Sequence, residues 1–209
     1  MNTPRTAQVA RMNRMALTIA VIALLAAAWF GYQRYFAQRP DAATVVAVSL
    51  KGLQEQQRLV PFTARYVAVV TSAETKLGLK AQKTLILPGT VRYELDLGLL
   101  NAQSLDWDEA SRTLTITLPS LELAGPEFAL EDAREYSDGE ILLTLTDAEQ
   151  RLDAANGAAA KAQLLKQARE PVPMKLARDA SIKAVENAFA MPLEAVGVEA
   201  KVVAQFEEE

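Results

Sequence analysis

Nineteen consecutive residues without a charge, Met15 to Gln33, lie between Arg14 and Arg34 and read MALTIAVIALLAAAWFGYQ. As a helix at ~1.5 Å per residue, such a run spans roughly 28 Å, close to the ~30 Å hydrocarbon core of a bilayer. Trp29, Phe30, Tyr32, Tyr35 and Phe36 crowd its C-terminal end, where an aromatic belt sits. The run reads as a transmembrane anchor over residues 15–33, with Trp29, Phe30 and Tyr32 at the membrane interface. A cleaved signal peptide is the competing reading, since Ala26-Ala27-Ala28 resembles a cleavage site. Against it, the apolar stretch continues past that site into Trp29 and Phe30, and Arg34 closes a segment of spanning length.

Charge around the run suggests its direction. Arg5, Arg11 and Arg14 precede it, while Arg34 and Arg39 follow. By the positive-inside rule, residues 1–14 form a cytoplasmic tail and the rest of the chain stands on the periplasmic or extracytoplasmic side of the inner membrane. Residues 34–43 read as a linker, and residues 44–209 suit one domain.

Composition narrows the chemistry of that domain. The chain has no Cys and no His, which removes disulfides, thiol nucleophiles, Ser-His-Asp catalysis and the usual imidazole metal ligands. No cofactor is expected. Five of the 22 Lys and Arg residues and none of the 26 acids precede residue 41, so the remainder carries 17 bases against 26 acids, about −9. An acidic domain repels phosphate backbones, and nucleic acid is not an expected partner.

Periodicity gives the elements. Val46, Leu50 and Leu53 recur at helical spacing within 44–57. Val60, Phe62, Ala64, Tyr66, Ala68 and Val70 alternate with Pro61, Thr63, Arg65, Val67 and Val69, predicting a strand over 59–71. A second strand is expected over 83–97, interrupted at Pro88-Gly89, with Val91, Tyr93, Leu95 and Leu97 on one face and Arg92, Glu94 and Asp96 on the other. Asp106-Trp107-Asp108-Glu109 reads as a turn into a strand over 113–118, and Leu121 and Leu123 extend briefly to Gly125-Pro126. Asp138-Gly139 reads as a turn before a strand through Ile141, Leu143 and Leu145.

The remainder is helical. Thr146 to Glu149 fits a capping box opening a helix to about Glu170, which Pro171-Val172-Pro173 ends. A further helix is expected over 174–190 and a closing strand through Val198, Ala200, Val202 and Phe206. Strands grouped before helices predict an α+β fold. Its parts are an N-terminal transmembrane helix, a mostly antiparallel sheet of four to six strands packed with two C-terminal helices, and a closing strand.

The order of these parts, with the stretches QRLVPFTARYVAVVTS, YELDL at 93–97 and LTITLP at 114–119, resembles the DUF4230 family of bacterial membrane-anchored proteins, over about residues 45–206. The resemblance implies this architecture and no mechanism.

Three polar groupings are candidates for function. Glu94 and Asp96 share a strand face, and paired carboxylates serve in glycoside hydrolysis, although a polar outer face needs them equally. Arg65, on an otherwise apolar strand, is expected to pair across the sheet with Glu94 or Asp96, or else to bind a partner carboxylate. Asp106, Asp108 and Glu109 read as a solvated turn rather than a cation site. No catalytic or metal-binding residue is assigned. The expected role is a non-catalytic domain binding a protein partner in the envelope, with a lipid or envelope-polymer module and a carboxylate-dependent hydrolase as alternatives.

Overall fold

The computed structural model describes residues 20–34, 41–76 and 78–207. The chain divides between Thr44 and Val45 into two units. In the first, residues 20–34 are helical, with Trp29, Phe30 and Tyr32 exposed. Among the described residues no helix is long and apolar enough to cross a membrane. Residues 15–19 of the uncharged run, the tail over 1–14, and Tyr35 and Phe36 lie outside the described residues.

The second unit is α+β. Its elements are α1 (Ala42–Gln56, whose first three residues precede the division), β1 (Arg58–Lys76), β2 (Leu79–Asp96), β3 (Leu105–Asp108), β4 (Thr113–Leu118), β5 (Glu122–Phe128), β6 (Arg134–Asp138), α2 (Glu140–Leu145), α3 (Ala148–Ala168), α4 (Pro171–Ala195) and β7 (Lys201–Phe206). In place of the single sheet expected, the strands form two. The first pairs β1 with β2, and the far side of β2 pairs with β6 over 82–86 and with β5 over 89–94. The second runs β3-β4-β7. Here β7 pairs parallel to β4, because the chain reaches it through the long helical crossover of α3 and α4. The break between sheets follows Asp96, whose carboxylate accepts from the Gly98 N–H at 3.0 Å and turns the chain through buried Leu97 and Leu100.

Pro88 does not interrupt β2, and the reason is directional. A strand residue's N–H and C=O point to the same side. The Pro88 carbonyl accepts from the Ala129 N–H at 3.0 Å, so its missing donor faces the junction between β5 and β6 and removes no bond to β1. Gly89 lets α3 approach: a Cβ there would lie 2.7 Å from Leu164 Cδ1. Likewise β5 continues through Gly125-Pro126 with a register shift opposite Thr90 and Arg92. Gly125 has φ 103° at that bulge, and a Cβ would lie 3.1 Å from the Thr90 carbonyl oxygen.

Other boundaries moved. Asp106 to Asp108 belong to β3, and the turn follows them. Val60 is exposed while Leu59 packs inward, because a bulge between Leu59 and Phe62 shifts the phase. The stretch after Asp138-Gly139 is the helix α2 rather than a strand. Leu142 packs on Ala81, Ala148 and Leu152 while Ile141 and Leu145 stay exposed, so burial decides against the alternation. No capping box forms at Thr146. Its hydroxyl donates to the Leu142 carbonyl at 2.7 Å and accepts from the Ala148 N–H at 3.2 Å. Helix α3 ends at Ala168, before the prolines as expected, and Pro171 to Pro173 also open α4, since first-turn residues need no N–H donor. The strand β7 begins only at Lys201, leaving Val198 and Ala200 outside it.

Buried residues on both long helices fall every fourth position: Leu152, Asn156, Ala160, Leu164 and Ala168 on α3, and Ala177, Ser181, Val185, Phe189 and Leu193 on α4. Ala160 and Leu164 pack on Ala68, Leu85 and Leu87 of the first sheet. Val185 and Phe189 join Leu53, Leu95, Leu97, Leu114, Ile116 and Ala204 in the largest core cluster, between α1, α4 and the second sheet. One face of the first sheet is thus covered by helix, and the other row of side chains stays open.

Candidate functional site

That open row carries the candidate residues. Arg58 donates to Glu94 at 3.2 Å and to Glu122 at 2.7 Å, and lies 3.9 Å from Asp96. Arg92 donates from Nε to Glu94 at 3.2 Å and pairs with Glu127. Glu94 is buried between the two guanidiniums. Both arginines are held further toward the charged form, Arg58 first by its hydrogen bond to Glu122 and Arg92 first by its bond to Glu127. The two candidate carboxylates therefore do meet in one network, but as partners of arginine.

Arg65 is elsewhere. Its register partner is Thr90, and its guanidinium pairs with Asp132 in the turn before β6. The expected bond to Glu94 or Asp96 is absent because those acids sit opposite the start of β1, where Arg58 takes the role. Arg58, Arg92, Glu122 and Glu127 were not singled out by sequence reasoning. The available signal was that Arg92 shares the row of Glu94 two residues away.

On the covered face a second ionic cluster was also missed. Lys83 is buried in phase with Leu85 and Leu87, and its ammonium donates to Glu135 of β6 at 2.9 Å, pairs with Asp153, and lies 3.9 Å from Glu149 of α3. Burial pulls the Lys83 pKa down, but the hydrogen bonds to Asp153 and Glu135 outweigh it and the net shift is upward. Beside it, Asn156 donates to the Lys83 carbonyl at 2.9 Å. Arg151 of α3 grips Glu74 of β1 (Nε to Oε2, 3.0 Å) and Asp147, and lowers the pKa of both acids.

A third buried polar link is neutral. The Tyr93 hydroxyl donates to the Ala168 carbonyl at the end of α3 (2.8 Å) and accepts from Tyr66 at 2.6 Å. Burial, then that hydrogen bond, pushes the Tyr93 pKa up.

Elsewhere the acids serve local structure. Asp108 accepts from the Ala110 N–H (2.9 Å) and the Ser111 hydroxyl (2.7 Å), and Glu109 accepts from the Trp107 indole at 3.1 Å. The Ser111 bond is the main reason the Asp108 pKa falls. Among the described residues no group of acids is arranged to hold a metal ion. A shallow hollow of about 340 Å³ is lined by Asn101, Gln103, Ser104, Thr117 and Pro119, and its Asn101 and Ser104 already cap one another.

The family model for proteins of unknown function numbered DUF4230 matches residues 51–203. The chain belongs to the DUF4230 family. No curated protein and no solved structure matches it. The matched span of the DUF4230 domain runs from within α1 to within β7, so both sheets, both ionic clusters and the open row fall inside it.

That open row also has an apolar centre. Val67 stands opposite Pro88 and Val69 opposite Ile86, a block of four flanked by the Thr71–Thr84 hydroxyl pair at 2.9 Å and by Arg65. Val67 and Val69 are exposed. An apolar centre inside a polar rim is the anatomy of a protein contact.

Proposed function

We propose that this chain is a single-pass envelope protein, anchored in the inner membrane through residues 15–33, whose DUF4230 domain stands on the periplasmic or extracytoplasmic side and binds a protein partner without catalysis. The observation that carries the binding role is the open row of the first sheet, with its block of Val67, Val69, Ile86 and Pro88 rimmed by polar and charged groups. The hydrolase alternative is not favoured, since Glu94 is enclosed by Arg58 and Arg92, which hold it as an ion-pair partner. Support for the anchor is the uncharged run itself, with exposed Trp29, Phe30 and Tyr32 near its end.

The chain has no cysteine, so single introduced thiols report position cleanly. Cross-linking in cells from Ser111→Cys, Ser137→Cys and Ala73→Cys is expected to give one identified protein adduct that depends on position. Hydrolysis of an envelope glycan by the purified domain, abolished by one carboxylate substitution, would overturn the non-catalytic reading. For the anchor, the full chain should resist extraction from membranes by alkaline wash, and its domain should be cleaved by protease added on the outer side only.

A further inference from the structure

We propose that the free edge of β1, from Thr63 to Ala73, receives an extended segment of a protein partner with net positive charge, which adds to the first sheet as one more strand. The inference rests on the partner-binding reading above and names where and how that partner is held.

The edge follows from backbone direction. Pro88 faces its N and O away from β1, so Val67 opposite it faces its N–H and C=O away from β2. The Val67 carbonyl indeed accepts a bond from outside the sheet, from Gln167 Nε2 at 3.3 Å. By alternation Thr63, Arg65, Val69, Thr71 and Ala73 present their backbone groups to that same edge, and each of these side chains is exposed. Among the described residues, β1 pairs with β2 alone. A row of donors and acceptors repeating every ~7 Å is complementary to an extended backbone.

Edge strands are ordinarily blunted by proline, bulges or lysine. In β1 those devices sit at the ends: Pro61 and the bulge between Leu59 and Phe62 before the stretch, Lys76 after it. The eleven residues between, TARYVAVVTSA, contain one charge, and that charge is paired to Asp132. What guards the middle is the Gln167 carboxamide. Its donor fills the Val67 carbonyl while its own Oε1 is buried with no hydrogen-bond partner among the described residues. A carboxamide offers the same donor and acceptor as a peptide group, so Gln167 stands in for one peptide unit of the missing strand. Displacing it returns the orphaned oxygen to water and removes a standing cost.

Charge selects the occupant. The chain after residue 40 carries about −9, with 17 bases against 26 acids, so a second copy is repelled and a basic segment attracted. The block of four apolar side chains is also far smaller than the ~800 Å² per partner of a stable dimer.

The test uses the full-length chain in cells, with the cross-linker at Ala73→Cys and, as control, at Ser111→Cys on the β3–β4 turn. The expected result is an adduct at position 73 whose cross-linked peptide, identified by mass spectrometry, is basic. Val69→Pro removes an N–H that faces only the free edge, and is expected to lower the yield about tenfold with the circular dichroism unchanged. Val69→Lys, which leaves the backbone untouched, is expected to lower it as well and decides the matter if the proline variant does not fold. Gln167→Ala is expected to raise it. An adduct at position 73 that ignores all three substitutions overturns the proposal, as does an adduct with a second copy of the chain. An adduct at position 111 alone overturns the edge and leaves the partner-binding reading standing, whereas no adduct at either position overturns both.

Discussion

The two ionic clusters of the first sheet are mirror images in charge. On the covered face, the Lys83 side chain is 7% exposed while its partners Glu135, Glu149 and Asp153 are 45–62% exposed. On the open face the buried member is an acid: the Glu94 side chain is 11% exposed, with Arg58 and Arg92 at 49% and 37%. In each, one dry charge is neutralised by wetter groups. The difference teaches which half of a pair a fold depends on. A group that can turn into water is cheap to leave alone, and a group that cannot is expensive.

The largest effect should come from stranding Lys83. Among the described residues, Glu135→Gln with Asp153→Asn leaves the ammonium only Glu149, at 3.9 Å. About 3 kcal/mol of stability should be lost, roughly 10 °C in Tm for a domain of this size. Lys83→Met should cost no more than about 1 kcal/mol, since an apolar side chain suits the row of Leu85 and Leu87 and the freed carboxylates hydrate. Thermal melts of both variants decide it. A Lys83→Met protein as unstable as the double variant would break the comparison.

The second effect tests the mirror. Arg58→Ala with Arg92→Ala leaves Glu94 buried without a cation, and Tm should fall by a few degrees, less than for the stranded lysine. Thermal melts of this double variant beside the Glu135→Gln, Asp153→Asn protein decide it, and a fall as large as that of the stranded lysine would break the comparison.

How far the sequence disclosed these features depended on whether a feature is local. Alternation placed Phe62 to Val70 and Val91 to Leu97 on their correct faces, because a half-covered sheet writes its burial into every second residue. Family membership was legible for the same reason, through the order of such segments. Helix α2 was misread because Ile141, Leu143 and Leu145 alternate while only Leu142 is buried, a choice made by contacts with Ala81 and Leu152. The division into two sheets was hidden because β7 joins β4 across more than eighty residues of intervening chain. The ionic clusters were hidden likewise. Lys83 in phase with Leu85 and Leu87 was the one local hint that a charge points inward, but Glu135 and Asp153 are far along the chain.

Arg151 sharpens the comparison from the exposed side. Its bonds to Glu74 and Asp147 hold both acids below the ordinary carboxylate range. A depressed folded pKa contributes stability that is present in full above the unfolded value, ~4, and is lost as pH falls through the folded value. Arg151→Ala should therefore lower the urea midpoint slightly at pH 7 and leave it equal to the unmodified protein in strong acid. If the gap between the two proteins persists at pH 2, the arginine acts by packing on α3 and β1 rather than through these acids.

The smallest effects should come from the two acids that first drew attention as a catalytic pair. Asp96→Asn keeps an oxygen for the Gly98 N–H and gives up only a contact of 3.9 Å with Arg58, so stability should stay within about 0.5 kcal/mol. Glu94→Gln keeps one acceptor for the two arginines and removes the dry charge, for a loss of about 1 kcal/mol. This asymmetry carries the argument for a structural role. A catalytic pair would lose activity at either position with melting unchanged, whereas neutralising partners of Arg58 and Arg92 lose stability in the order of their burial, Glu94 before Asp96. Parallel melts and partner cross-linking on the two variants read both quantities at once. Intact cross-linking with that order of stability fits acids that hold β1, β2 and β5 together beneath a binding surface, and an inverted order would remove Glu94 from the centre of the network.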